Sequence, residues 1–156
     1  MLKIAVITVS DRAHKGEYED LSGPKIKKII EQSGMEAEVS LTVVPDEREH
    51  LLEALFNNLN KDIILTTGGT GLGPRDITPD VCGEIFDKEL PGISEFLRRE
   101  SYKETPNALL SRGRSGVKGK TLIVNFPGSV KAVSLCTHLI IPVLEHARKM
   151  LHGEGH

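Results

Sequence analysis

Tryptophan is absent from this chain, and the other aromatics amount to four phenylalanines and two tyrosines, 4% of the sequence. Any site that must stack a flat ring has few side chains to do it with. Cysteine is equally sparse: Cys82 and Cys136 form no C-x-x-C pair, so neither a disulfide framework nor a structural zinc site is suggested, and free thiols in a reducing cytoplasm are expected. Neither sign of charge dominates. Twenty basic against 22 acidic residues leave a formal charge of −2, which gives no electrostatic case for nucleic acid or an anionic membrane and favours a small ligand. No apolar stretch approaches the roughly 20 residues of a membrane span, and Lys3 leads into a strand-length run rather than a signal peptide, so a soluble protein is expected. The histidines His14, His50, His138, His146, His152 and His156 make no H-E-x-x-H array and read as surface or packing residues, with His152 and His156 in a frayed tail. Repeats, low-complexity segments and linkers are also missing, and 156 residues bury roughly two-thirds of their unfolded surface or more, so residues 1–156 are expected to form one domain.

What the chain does contain is an alternation of strands and helices. Lys3–Val9 is almost continuously apolar and β-branched, as a strand buried on both faces is. A polar loop from Ser10 to about Gly23 follows, long enough to be functional, and Pro24 opens a helix carrying Ile26, Ile29 and Ile30 that Gly34 closes. Glu36–Val44 alternates loosely, with Val39, Leu41 and Val43 on one face, as a strand near a sheet edge does. Leu51, Leu52, Leu55, Phe56 and Leu59 mark a helix, for which Asp46 and Glu49 have the spacing of a capping box. Ile63–Leu65 is a buried strand. Val81–Phe86 forms a short helix, and Pro91-Gly92 turns into another bearing Ile93, Phe96 and Leu97. On that helix Arg98 and Arg99 read as a solvated face, and Cys82 as packing. The basic stretch Ser111–Lys120 suggests a turn or hairpin before the strand Thr121–Val124, and a last helix starts at Ser129 and is kinked or restarted at Pro142. This order implies a three-layer α/β/α sandwich around a mostly parallel central sheet.

The most distinctive segment runs from Thr66 to Asp80. Gly68, Gly69, Gly71 and Gly73 allow a ligand close to the backbone and expose N–H groups, while Thr66, Thr67 and Thr70 add hydroxyls, a composition suited to phosphate. Thr78 fits the N-cap and Pro79 the first turn of the following helix. Two common phosphate loops fail here. G-x-G-x-x-G would need glycine at Pro74, and the G-K-T at Gly119–Thr121 lacks its upstream glycine at Arg114 and leads into a strand.

Thr67-Gly68-Gly69-Thr70-Gly71 followed by Pro74-Arg75-Asp76-Ile77-Thr78-Pro79 resembles the molybdopterin adenylyltransferase family of the MogA type, related to the G domains of plant and animal molybdenum-cofactor proteins. The resemblance spans nearly the whole chain, through Thr8–Arg12, Val44–Glu47, Leu110–Arg112 and Asn125–Ser129. It implies transfer of AMP from Mg-ATP to the terminal phosphate of molybdopterin, with release of pyrophosphate. By that likeness Asp46 and Asp76 are the catalytic aspartates and hold Mg2+ or orient its water ligands. Gly69, Thr70 and Gly71, with Arg75 and Thr78 in the same motif, form one substrate or nucleotide loop. Asn125, Pro127, Gly128 and Ser129 form a second, Ser10, Asp11 and Arg12 a third, and Ser111 and Arg112 a basic element for the pterin phosphate. With so few aromatics, stacking of the pterin or adenine ring falls to a few groups such as Phe126 or to aliphatic walls and peptide planes. The family also implies a homotrimer and handover to a molybdate- or tungstate-inserting protein. MoaB-type relatives share the glycine loop, and some lack the Arg-Asp-x-Thr-Pro continuation that this chain keeps.

Read from the residues alone, Asp46 serves equally as a helix cap and Asp76 as a loop-forming residue, and which loop takes nucleotide and which takes pterin stays open. Two other functions use the same loops. One is phosphoryl transfer to another small acceptor; the other is a carrier or scaffold that holds the pterin without modifying it.

Overall fold

In the computed structural model, residues 1–154 are described. Strands β1 (Leu2–Val9), β2 (Ala37–Val44), β3 (Ile63–Thr67), β4 (Lys88–Glu89), β5 (Ser115–Lys118) and β6 (Thr121–Phe126) form one sheet in the order β2-β1-β3-β6-β5-β4. The first four strands in that order are parallel, and β5 and β4 add on antiparallel. The mostly parallel sandwich expected from the alternation is therefore present. Helices are α1 (Asp11–His14), α2 (Ser22–Gln32), α3 (Arg48–Asn57), α4 (Thr78–Ile85), α5 (Pro91–Tyr102) and α6 (Val130–Leu151), with a 3-10 turn at Pro106–Leu110.

Residues alternate faces along a strand, so β1 serves both layers. Leu2, Ile4 and Val6 pack with Ile26 and Ile30 of α2, Leu97 of α5 and Val133, Cys136, Ile140 and Leu144 of α6. Ala5, Ile7 and Val9 pack with Leu51 and Leu55 of α3 and Val81 and Cys82 of α4. Strand β1 is central, as its apolar run implies, and β2 is an edge whose Leu41 is exposed rather than sharing the burial of Val39.

Several local expectations are corrected. The segment after β1 is not all loop: α1 forms within it, and α2 begins at Ser22, before Pro24. Leu21 is its N-cap and makes no side-chain cap bond, while Asp20 just before it accepts from Gly23 N through Oδ1 at 3.2 Å. Asp46 makes no capping box, since α3 has Glu47 as its N-cap and no side-chain cap bond. Thr78 is the first residue of α4 rather than its cap, and that end also has no side-chain cap bond. Helix α5 starts at Pro91 itself. Helix α6 runs unbroken through Pro142. Pro142 and His138, whose carbonyl loses its N–H partner there, are both on the exposed side, where the carbonyl is open to solvent.

At 22 residues and a mean hydropathy of 1.2, α6 also reaches the length and composition of a membrane span, contrary to expectation. Its apolar residues cover the sheet and α2, which accounts for that composition. Arg98 is not simply solvated: its Nη1 donates to Gly113 O at 2.6 Å. His152 is not frayed, since it caps α6 and its Nε2 lies 3.5 Å from Asp62 Oδ1. His156 lies outside the described residues.

Candidate active site

The four parallel strands deliver their C-terminal ends to one side of the sheet, where the loops after β1, β2, β3 and β6 start and the Ser111–Arg112 segment arrives on its way into β5. β1 and β2 are paired with Val9 opposite Val44. The same offset carried two residues further sets Asp11 opposite Asp46, and the two lock reciprocally: Asp11 N donates to Asp46 Oδ2 at 2.8 Å and Asp46 N donates to Asp11 Oδ1 at 2.9 Å. What looked like a helix cap is a cross-strand tie that aims the Asp46 carboxylate at the next loop.

That loop needs glycine at two consecutive positions. Gly68 and Gly69 have φ of 96° and 69°, where side chains are strained. Space is lacking as well. A Cβ on Gly68 would lie 2.4 Å from Val9 O, and one on Gly69 would lie 2.3 Å from Thr78 Oγ1 and 3.2 Å from Asp46 Oδ1. Further on, Asp76 folds back so that its Oδ2 accepts from Gly73 N at 2.8 Å. The loop after β6 touches this one: Gly68 N donates to Phe126 O at 3.1 Å and Thr67 Oγ1 to Pro127 O at 2.7 Å.

Arg112 holds the glycine loop from the opposite side. Its main-chain N donates to Thr70 O at 2.8 Å, Nε to Gly71 O at 2.8 Å and Nη2 to Asp76 O at 2.6 Å, while Nη1 pairs with Asp80 at 2.9 Å. Nε and Nη2 thus hold loop carbonyls, while Nη1 ties the side chain to Asp80 on α4.

Two open clefts flank the joined loops. The first, about 320 Å3, contains Asp46 and Asp76 together with Ser10, Gly69 and Gly128. The second, about 540 Å3, is lined by Thr70, Gly71, Ser111 and Pro127. Ser129 lines both. It is also the N-cap of α6, accepting from Ala132 N at 3.1 Å, so the positive end of a long helix dipole faces the junction. Asn125 and Thr78 sit beneath this surface. Asn125 is buried and ties the strands, donating to Thr66 Oγ1 at 2.9 Å and accepting from Arg114 N at 3.0 Å; Thr78 is buried with its hydroxyl unpaired against Gly69. Arg12 stands exposed at the rim. Phe126 has no exposed surface, so the stacking role expected of it is ruled out.

The electrostatics of the first cleft are uneven. Arg75 grips Asp11 bidentately at 2.8 and 2.9 Å, and this holds the Asp11 carboxyl below its ordinary pKa. Asp46 is pushed up, first by burial and then by the charges of Asp11 and Asp76. Two carboxylates lining one cleft, their repulsion only partly offset by the Asp11 N–H and the charge of Arg75, are oxygen donors of the kind a hard divalent cation takes. Among the described residues no group of three or more His, Cys, Asp or Glu is arranged to hold a metal, so such a cation would complete its shell with water and phosphate oxygens.

Sequence reasoning missed Thr8, Tyr18 and Ser22, which line the first cleft, and Asp20, which organises that wall. Asp20 accepts from Thr8 Oγ1 at 2.9 Å as well as from Gly23 N in the first turn of α2. Its spacing ahead of Ser22-Gly23 was the available signal, an acidic residue three before a helical N–H.

Residues 5–146 match the family model described as a probable molybdopterin binding domain. The chain is similar to molybdopterin adenylyltransferase of Helicobacter pylori (strain J99), at 36% identity over 97% of this chain and 89% of that protein. It is 39% identical over 94% of its length to the molybdenum cofactor synthesis protein cinnamon of Drosophila melanogaster, of which it spans only 25%. The crystal structure of the molybdopterin biosynthesis enzyme MoaB from Thermus thermophilus superposes with a TM-score of 0.89 at 39% identity, covering 98% of both chains. A family match over most of the chain, with the same fold, establishes that this chain belongs to the molybdopterin-binding domain family of MogA and MoaB.

Proposed function

We propose that this chain transfers the adenylyl group of ATP to the terminal phosphate of molybdopterin, forming adenylyl-molybdopterin and releasing pyrophosphate. The observation that carries the reading is the pair of clefts meeting at Ser129, one of them holding Asp46 and Asp76. A two-substrate phosphoryl-type transfer needs such a junction, because its main requirement is to hold two anions in line. The relatives named molybdopterin adenylyltransferase support the choice of substrates.

The nucleophile is a pterin phosphate oxygen, largely ionised near neutral pH because its second pKa is about 6. It bonds to the α-phosphorus of ATP as the bond from that phosphorus to the bridging oxygen breaks, and the electron pair leaves with pyrophosphate. No strong general base is needed. Gly69, Thr70 and Gly71 present N–H and hydroxyl donors, Ser129 brings the α6 N-terminus, and Arg112 keeps the loop in place. Asp46 and Asp76 would hold magnesium, which when bound neutralises charge on the triphosphate and the departing pyrophosphate. Arg75 keeps Asp11 ionised and occupied, so that Asp46 rather than Asp11 faces the phosphates.

Residues 1–156 act in this reading as one catalytic unit, in a cytoplasmic homotrimer that hands its product to a molybdate- or tungstate-inserting protein. Exposed Leu72, Leu109 and Leu110 beside the second cleft offer apolar surface for subunit contact.

The test is anaerobic incubation of the protein with molybdopterin, ATP and magnesium, following adenylated pterin and pyrophosphate, with Asp76→Asn alongside. Product from the wild type and none from the variant is expected. Tight pterin binding without product across nucleotides and divalent metals would overturn the reading in favour of a carrier.

A further inference from the structure

In a chain so poor in aromatics, the position of each ring matters. Phe126 is fully buried, Phe86 packs against Gly116 and under Arg114, and none of the four phenylalanines lines either cleft. Among the described residues no aromatic ring lines the second cleft. Among the described residues Tyr18 is the one aromatic side chain that lines either of them, and it is in the cleft that holds Asp46 and Asp76.

Its setting is ordered. Tyr18 is 48% exposed, its hydroxyl lies 3.3 Å from Ser10 Oγ, and the Arg12 guanidinium sits 5.0 Å from the ring centroid. The hydroxyl contact anchors the ring's far end to the β1 loop. The guanidinium, which also lies 4.0 Å from Glu17 Oε2, covers one face of the ring and leaves the other to a ligand. Asp20, two residues on, is fixed to Thr8 and to the start of α2, which pins the segment carrying the ring.

We infer that Tyr18, backed by Arg12, is the stacking platform for the flat nitrogen heterocycle of the phosphorylated substrate bound in the Asp46/Asp76 cleft. The inference rests on the adenylyl-transfer reading for its two candidate ligands, adenine and pterin, and adds a specificity-determining side chain to it. The ring selects for a planar base, while the loop N–H groups and the acid pair deal with phosphate whatever is attached to it. The two roles are therefore separable by ligand.

The experiment is calorimetric titration of wild type, Tyr18→Phe and Tyr18→Ala with three probes in the presence of magnesium: ATP, inorganic tripolyphosphate, and 6-hydroxymethylpterin. Tyr18→Ala should weaken either ATP or the pterin by roughly 10- to 100-fold, the range that removal of a stacking aromatic gives, and leave tripolyphosphate within about twofold. Tyr18→Phe keeps the ring and should stay within a few fold of wild type. Which ring compound responds assigns the cleft. With no tryptophan present, a Tyr102→Phe background makes Tyr18 the only tyrosine, and quenching of its emission by the responding ligand is the second readout. Equal weakening of tripolyphosphate, or unchanged affinity for both ring compounds in Tyr18→Ala, overturns the platform while leaving adenylyl transfer standing. A wild type that binds neither ring compound overturns both.

Discussion

Removing the Arg112 side chain separates two roles that the same residue could have. The likeness to the family gave it to the pterin phosphate, whereas its geometry makes it a clamp on the glycine loop. In Arg112→Ala the main-chain bond to Thr70 O survives, but Gly71 O and Asp76 O lose donors at 2.8 and 2.6 Å, and Asp80 loses its partner. A hydrogen bond to a charged group contributes about 1.5–3 kcal/mol. Both carbonyls lie near solvent, which recovers part of that, and the exposed Asp80 pair adds only about 0–1 kcal/mol. The loop is thus held less firmly by roughly 2–4 kcal/mol. A displacement of about 1 Å in a positioning element costs on the order of 100-fold in rate, or about 2.7 kcal/mol, so the two estimates agree. Steady-state formation of adenylyl-molybdopterin should therefore show kcat reduced by about 100-fold with a smaller change in KM for the pterin. Arg112→Lys should recover little, because a single ammonium cannot reach both carbonyls and Asp80 as the planar fork does. A raised pterin KM at unchanged kcat, with substantial recovery by lysine, would refute the clamp and return Arg112 to phosphate binding.

Gly68→Ala should destabilise the protein by more than about 2 kcal/mol, combining the left-handed backbone cost with a Cβ 2.4 Å from Val9 O, and chemical denaturation should show it as a lowered midpoint. Asp46→Asn should abolish turnover yet raise the melting temperature at pH 7 in chelator. The native carboxyl titrates above its ordinary value of 3.8, so the wild type keeps full stability below that pH and loses some as pH rises through the native value, where the carboxyl must ionise beside Asp11 and Asp76. Thermal melts should therefore coincide in acid and separate towards neutrality; a variant that melts lower at pH 7 contradicts the assignment. Burial pushes the Cys82 and Cys136 thiols up to about 11, so a thiol-reactive disulfide reagent at pH 8 should modify neither in the native protein and both after denaturation.

Legibility from sequence followed the range of the interactions concerned. Buried strands and amphipathic helices are set by the pattern of neighbouring residues, and so β1, β3 and α2 were readable, whereas the stretch before β6 read only as a turn or hairpin and β5 within it was not identified. Helix starts were read less well. Asp46 has ideal spacing to cap α3, but the parallel partner strand presents Asp11 to it, and a bond across the sheet displaces the local one. Arg98 on its helix looked solvated because Gly113, which it holds, lies 15 residues away.

By itself, then, the sequence determined the layer order, the mostly parallel sheet, the glycine loop and its suitability for phosphate, since each depends on local composition and spacing. Only the tertiary structure decided which side chains share a cleft. It buried Phe126 and Asn125, committed Arg112 to loop carbonyls, and brought Tyr18 beside Asp46 and Asp76. Those outcomes depend on strand order and on the register of β1 against β2, which are fixed by the simultaneous burial of residues far apart in the chain and are encoded in no single stretch of it.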